Sequence, residues 1–125
     1  MTATIEDVKQ YWNDRPCNVR HSPKEIGTKE YYDEVEAKRY YAEPHIPDFA
    51  DFQSWKGKKV LEVGCGMATE GINFARYGAE YTATDLSVES LDLAKKDSRC
   101  IMRKEISIWV IQKNLALFFH LTHMI

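Results

Sequence analysis

Hydrophobic positions along this chain switch between helical and strand-like spacing, and the switches predict its elements. Ile5, Val8 and Trp12 recur on one helical face. Thr4 followed by Asp7 resembles a capping box at the start of that helix. Residues 15–27 hold Pro16, Pro23 and Gly27 and read as a loop. Thr28 can cap a second helix that runs to about Glu43, with Glu34 and Lys38 spaced for an ion pair. Pro44 and Pro47 end it. Phe49, Phe52 and Trp55 then recur at roughly helical spacing, which predicts a short helix whose aromatic face packs into a core.

From Lys58 the pattern changes. Residues 58–63, KKVLEV, form a short apolar strand after a turn at Gly57. A glycine-rich turn follows, then a helix from about Thr69 to Tyr77 with Ile72, Phe74 and Ala75 as apolar positions. Gly78 stops that helix. Residues 80–84 alternate as a second strand, and Asp85 stands at its carboxyl end. Ser87 caps a further helix carrying Val88, Leu91 and Ala94. Strand, helix, strand, helix in this order predicts an α/β fold with a Rossmann-like parallel sheet and right-handed crossovers, preceded by a helical leader.

The chemistry concentrates in residues 60–71, VLEVGCGMATEG. Gly64 and Gly66 allow a sharp turn and a close backbone approach to a ligand. Asp85 follows at the end of the next strand. In a βαβ unit both places meet at the carboxyl edge of the sheet, where such folds bind ligands. An acidic side chain there can accept hydrogen bonds from both hydroxyls of a ribose. A dinucleotide would need a helix N-terminus facing its pyrophosphate, usually with G-x-G-x-x-G. This turn lacks the last glycine, and Glu62 would face a pyrophosphate with like charge. A cationic ligand avoids that conflict. S-adenosylmethionine carries a sulfonium and an amino group and no phosphate, so a carboxylate at the strand end suits it. Cys65 reads as a small buried spacer rather than a nucleophile.

Residues 60–96, VLEVGCGMATEGINFARYGAEYTATDLSVESLDLAKK, resemble the first βαβα unit of the class I S-adenosylmethionine-dependent methyltransferases. The resemblance implies that Glu62, Gly64, Cys65 and Gly66 form the methionine-binding loop. It implies that Asp85 is the ribose-binding acid and that Leu86 packs beside the adenine. The family usually has a third glycine where Ala68 stands, and a methyl group there is expected to tighten the loop against the ligand. The leader, including YWNDRPCNVRHSP and EYYDEVEAKRYYAEPHIPDFADF, is similar to that of a bacterial-type subfamily. It is expected to form a lid and part of the pocket for a small-molecule methyl acceptor. Transfer from a sulfonium is an in-line displacement with an activated leaving group, so alignment and desolvation can supply much of the catalysis. Tyr11, Tyr31, Tyr32, Tyr40, Tyr41, His21 and His45 are candidate pocket members. No catalytic residue is assigned.

Charge and composition narrow the partners and expose a break. The net charge is -2, so no basic surface advertises nucleic acid. No apolar run is long enough to cross a bilayer, and the first residues lack the pattern of a signal peptide. Cys17, Cys65 and Cys100 are scattered, which suits a reducing cytoplasm and argues against a disulfide framework or a zinc site. His120 and His123 lack further ligands, so no metal is expected.

Residues 97–125 contain no glycine and no proline, and their charge sums to +2 against -4 for residues 1–96. The resemblance covers residues from about 8 to 96 and stops there. The expected organisation is therefore a leader over 1–56, a cofactor-binding βαβα unit over 57–96, and a tail over 97–125 outside the family pattern.

A shifted reading frame explains that tail. Lys95 and Lys96 can be encoded by an adenine run, where one base is easily lost. Read one base back, the tail permits a family-like continuation containing G-N-T-E-E-L. Trp109 before Val110 then forces a glycine, and Met124 before Ile125 forces an aspartate. On this expectation the chain is a truncated methyltransferase with a bare sheet edge, marginal stability, weak cofactor binding and no turnover. The tail's apolar runs, 106–111 and 115–121, would cover part of the sheet as a strand and then a helix. Two rival readings remain: a nicotinamide-dependent oxidoreductase, and a non-enzymatic Rossmann-like module that binds a partner through its open edge.

Overall fold

The computed structural model describes residues 2–97, 99 and 106–110. The leader forms α1 (Ile5–Asp14), α2 (Lys29–Ala42) and α3 (His45–Ala50). The remainder alternates β1 (Lys59–Val63), α4 (Thr69–Arg76), β2 (Glu80–Asp85), α5 (Val88–Lys96) and β3 (Ile106–Val110). The three strands are parallel and lie in the order β1-β2-β3. This is the Rossmann-like arrangement expected from the sequence. The strand expected in the tail's first apolar run is β3. The helix expected over 115–121 lies outside the described residues, as do His120, His123 and Cys100.

Local signals set most helix ends. The Thr4 hydroxyl accepts from the Asp7 N–H, and the Asp7 carboxylate accepts from the Thr4 N–H at 2.8 Å, completing the capping box. Thr28 caps α2 and Ser87 caps α5 through their hydroxyls. Gly78, at φ 93°, turns the chain from α4 into β2.

Three expectations change. First, α3 starts directly after α2, with Pro44 as its cap and Pro47 in its first turn. Proline is tolerated there because first-turn N–H groups have no intrahelical partner. Second, the aromatic helix is split. Asp51 adopts a left-handed conformation, φ 44°, between α3 and a 3₁₀ turn over Phe52–Trp55. The split buries Phe52 against Phe74 and Tyr77 and leaves Phe49 91% exposed. Third, Glu34 does not pair with Lys38 among the described residues. It accepts from the buried Ser22 hydroxyl at 2.7 Å and lies 4.0 Å from Lys24. A buried hydroxyl needs an acceptor more than an exposed helix needs an ion pair.

The core lies between one face of the sheet and the helices α4 and α5. Val60, Tyr81, Ala83, Ile106 and Ile108 from the strands pack with Ala75, Leu91 and Ala94 from those helices. A second cluster joins the leader to this layer: Tyr31, Tyr32 and Val35 of α2 pack on Met67 and Leu93. The other face of β1 remains open, with Leu61 40% and Val63 58% exposed. Parallel strands are ordinarily covered on both faces. Beyond α5, Arg99 bonds Asp97, Asp33 and Glu36 and sits over the Tyr32 ring, tying this part of the chain to α2. No helix among the described residues is long and apolar enough to cross a membrane.

Candidate functional site

The carboxyl ends of β1 and β2 are fastened to each other by backbone bonds. The N–H groups of Gly64 and Cys65 both donate to the Thr84 carbonyl, at 2.8 and 3.0 Å. The Thr84 hydroxyl donates back to the Glu62 carbonyl at 3.1 Å. Asp85 then closes the turn: its Oδ2 accepts from the Gly66 N–H and its Oδ1 from the Ser87 N–H, each at 2.8 Å. Asp85 thus stands at the glycine turn, 19 residues along the chain from Gly66, and bonds it directly. Each of its oxygens has accepted one backbone donor and keeps capacity for another.

Gly64 and Gly66 adopt φ 76° and 57°, a region that favours glycine. A Cβ built on either would meet nothing within 4 Å, so the space above the turn is open. Ala68, in contrast, holds φ 60° and ψ 37° with a side chain present. Its methyl group is buried in the main core rather than over the turn. The missing glycine therefore strains the backbone and does not narrow the ligand space from above. Ala68→Gly removes that strain and is expected to raise stability by about 1 kcal/mol. Urea denaturation of the two proteins checks this, with an unchanged slope and a higher midpoint expected.

Glu62 lies on the strand face that packs under α4. Its Oε2 accepts from the Tyr81 hydroxyl at 2.5 Å. Burial pushes the Glu62 carboxyl up to about 7, while the Tyr81 hydrogen bond opposes that rise. Glu70 and Asp85 push it further up and Arg39 draws it down. Cys65 is a buried member of the core, and its thiol donates to the Gly66 carbonyl at 3.4 Å. Leu86 is half-buried between Asp85 and the Ser87 cap.

The leader's aromatic candidates separate into distinct environments. Tyr31 and Tyr32 are buried, and their hydroxyls donate to the carbonyls of Val19 and Leu93. Those bonds make them packing residues. The Tyr40 hydroxyl accepts from Asn73 of α4, and burial raises its pKa. Tyr41 and His45 are exposed, and Tyr11 stacks edge-on against Trp12. His21 lines a cavity of about 340 Å³ with Arg15, Asn18 and Arg20, and its Nδ1 is buried without a hydrogen-bond partner. Desolvation and the nearby Lys38 and Arg39 lower its pKa. Among the described residues, no group of three or more His, Cys, Asp or Glu side chains could hold a metal ion.

Two residues that matter to this geometry escape the motif: Tyr81 and Gly71. A glycine in the first turn of α4 is the available signal, because a helical glycine often marks a place that another element approaches closely.

Comparison with known proteins agrees with the fold. No protein-family model matches the chain. It is 40% identical over 48 residues to a mitochondrial ubiquinone biosynthesis O-methyltransferase of Schizosaccharomyces pombe, 38% of this chain and 18% of that protein. It is 48% identical over 42 residues to the ubiquinone biosynthesis O-methyltransferase of Proteus mirabilis, 34% of this chain and 17% of that protein. A solved geranyl diphosphate C-methyltransferase from Streptomyces coelicolor A3(2), in complex with Mg2+, geranyl diphosphate and S-adenosyl-L-homocysteine, superposes with a TM-score of 0.57. That likeness covers 90% of this chain and 49% of the other at 21% identity, and it speaks for the fold. The chain therefore spans about half the length of that structure, and its sequence matches reach under a fifth of each curated relative. The chain is thus similar, over about a third of its sequence, to S-adenosylmethionine-type O-methyltransferases of ubiquinone biosynthesis, and it shares the Rossmann-like fold of a solved C-methyltransferase.

Proposed function

We propose that this chain binds S-adenosylmethionine across the glycine turn and serves methyl transfer to a small-molecule acceptor. One observation carries the reading: the Asp85 carboxylate and the Gly66 backbone meet at 2.8 Å beneath open space. Asp85 would take the two ribose hydroxyls on its remaining acceptor capacity. Gly64, Cys65 and Gly66 would present backbone to the methionine portion. Glu62, when ionised, would draw the cationic end toward the turn, and Leu86 would pack beside the adenine. When bound, the cofactor supplies a methyl group on an activated sulfonium.

On this reading residues 57–96 form the cofactor-binding unit and residues 1–56 the lid. The His21 cavity in the leader is the place for an acceptor. The curated relatives and the solved structure are methyltransferases by name, which supports the reaction class. A cytoplasmic setting fits three scattered cysteines, Cys17, Cys65 and Cys100, with no C-x-x-C pair.

The test is calorimetric titration with S-adenosylmethionine, S-adenosylhomocysteine and NAD. Saturable one-to-one binding of the first two, and none of NAD, supports the reading. Binding of NAD alone overturns it. The exposed Leu61 and Val63 on β1 favour one second reading, a binding module that docks through that face. A defined dimer with no response to any of the three ligands would select it.

A further inference from the structure

Tyr81 is the second residue of β2 and sits opposite Val60 of β1 in the parallel register. On that face the residue diagonally across the ladder is Glu62, within reach of a long side chain. The Tyr81 ring is buried, and its hydroxyl donates to Glu62 Oε2 at 2.5 Å. The ring lies where α4 would otherwise present a side chain. A Cβ on Gly71 would overlap the ring atoms Cζ and Cε1 and the hydroxyl oxygen of Tyr81. No rotation of a methyl group relieves contacts of that kind. Gly71 is therefore a slot, and the Tyr81 phenol fills it.

We propose that Tyr81 is a positioning residue for cofactor binding: through the slot at Gly71, its hydroxyl holds the Glu62 carboxylate at the base of the glycine turn. This inference rests on the reading of that turn as the S-adenosylmethionine site.

The groups facing Glu62 come from three elements. β2 contributes Tyr81 and, at its end, Asp85; α4 contributes Glu70; α2 contributes Arg39. Glu70 and Arg39 bond each other at 2.7 Å, and Arg39 also bonds Glu43, so much of that positive charge is already shared. Tyr81 is the side-chain hydrogen-bond donor to Glu62. Burial and the Glu62 charge raise the Tyr81 pKa, so the phenol keeps its proton and stays a donor. A cation above the turn is attracted only by the ionised form of Glu62. Protonating Glu62 therefore weakens binding, and removing the donor makes protonation easier.

The experiment has two readouts on the full chain. The first is S-adenosylmethionine affinity, by calorimetry, across pH 5.5–9 for the wild type, Tyr81→Phe and Glu62→Gln. Wild-type affinity is expected to fall as pH drops below about 7, the midpoint of Glu62. Tyr81→Phe, which keeps the ring in the slot, is expected to move that inflection upward. Its affinity at pH 7 would then drop about five- to tenfold, with near wild-type binding at pH 9. Glu62→Gln is expected to bind weakly with a flat profile.

The second readout needs no variant and no ligand. In carbon-13 NMR of the wild type, the Tyr81 Cζ resonance is expected to shift with the midpoint of the Glu62 carboxyl. A Tyr81 resonance that ignores Glu62, or a Tyr81→Phe profile superimposed on the wild type, overturns the positioning role. A linked titration with no cofactor binding at any pH overturns instead the cofactor reading, and the role in binding falls with it.

Discussion

Replacing Asp85 with alanine is expected, on the proposed function, to lower the affinity for S-adenosylmethionine at least about 100-fold, to below detection in a calorimetric titration. Two losses combine. The ribose hydroxyls would lose a charged acceptor, and hydrogen bonds to a charged group are worth roughly 1.5–3 kcal/mol each. The Gly66 and Ser87 N–H groups lose theirs as well, so the turn loses the tie between its second glycine and the start of α5. Two such bonds amount to roughly 3 kcal/mol or more, and each 1.4 kcal/mol is about tenfold. Asp85→Asn keeps one carbonyl acceptor and is expected to fall between, about tenfold weaker than the wild type. Circular dichroism should show both variants folded, because Asp85 lies at the sheet's end and outside the core cluster. An alanine variant that binds within threefold of the wild type would remove Asp85 from the site.

The second large effect is on stability. Gly71→Ala should improve α4 by helix propensity, by about 1 kcal/mol. It is expected to destabilise instead, by about 3 kcal/mol, because the new methyl would occupy the Tyr81 ring position. Chemical denaturation gives the number directly. The double variant Gly71→Ala, Tyr81→Ala is the control: with the ring gone, the methyl has room, and the two effects should not add. A Gly71→Ala protein as stable as the wild type would mean that the ring lies elsewhere.

The sequence announced what is local and concealed what is made by packing. The caps at Thr4, Thr28 and Ser87 are short-range hydrogen bonds, and each is readable from a few consecutive residues. The glycine turn and Asp85 were legible because a βαβ unit brings their two strand ends together whatever the details. Even the tail's strand was readable, since the apolar run at Ile106–Val110 meets the open side of β2. The slot at Gly71 was not. It depends on how α4 crosses β2, and nothing within a helical turn of Gly71 points to Tyr81. The break at Asp51 was hidden for the same reason: the aromatic spacing continues through it, and only the pocket at Phe74 and Tyr77 favours splitting the helix. Ala68 was flagged by the absent glycine, yet the consequence differs from the expected one. The methyl group faces the core, and the backbone carries the strain.

These pieces give the site a division of labour. Backbone bonds lock the two strand ends together, and Asp85 fixes the turn from beneath. Glu62 waits below the same turn with a carboxyl held near its midpoint, and Tyr81 biases it toward the charged form. Arrival of a cation would complete that bias, so binding and ionisation of Glu62 are expected to be linked.

The most direct trial of this account is a crystal structure of the chain with S-adenosylhomocysteine. It should show both ribose hydroxyls on the Asp85 carboxylate, with the amino-acid portion lying along Gly64–Gly66 on the side of Glu62. A ligand seated with its ribose away from Asp85, or on another face of the sheet, would contradict it.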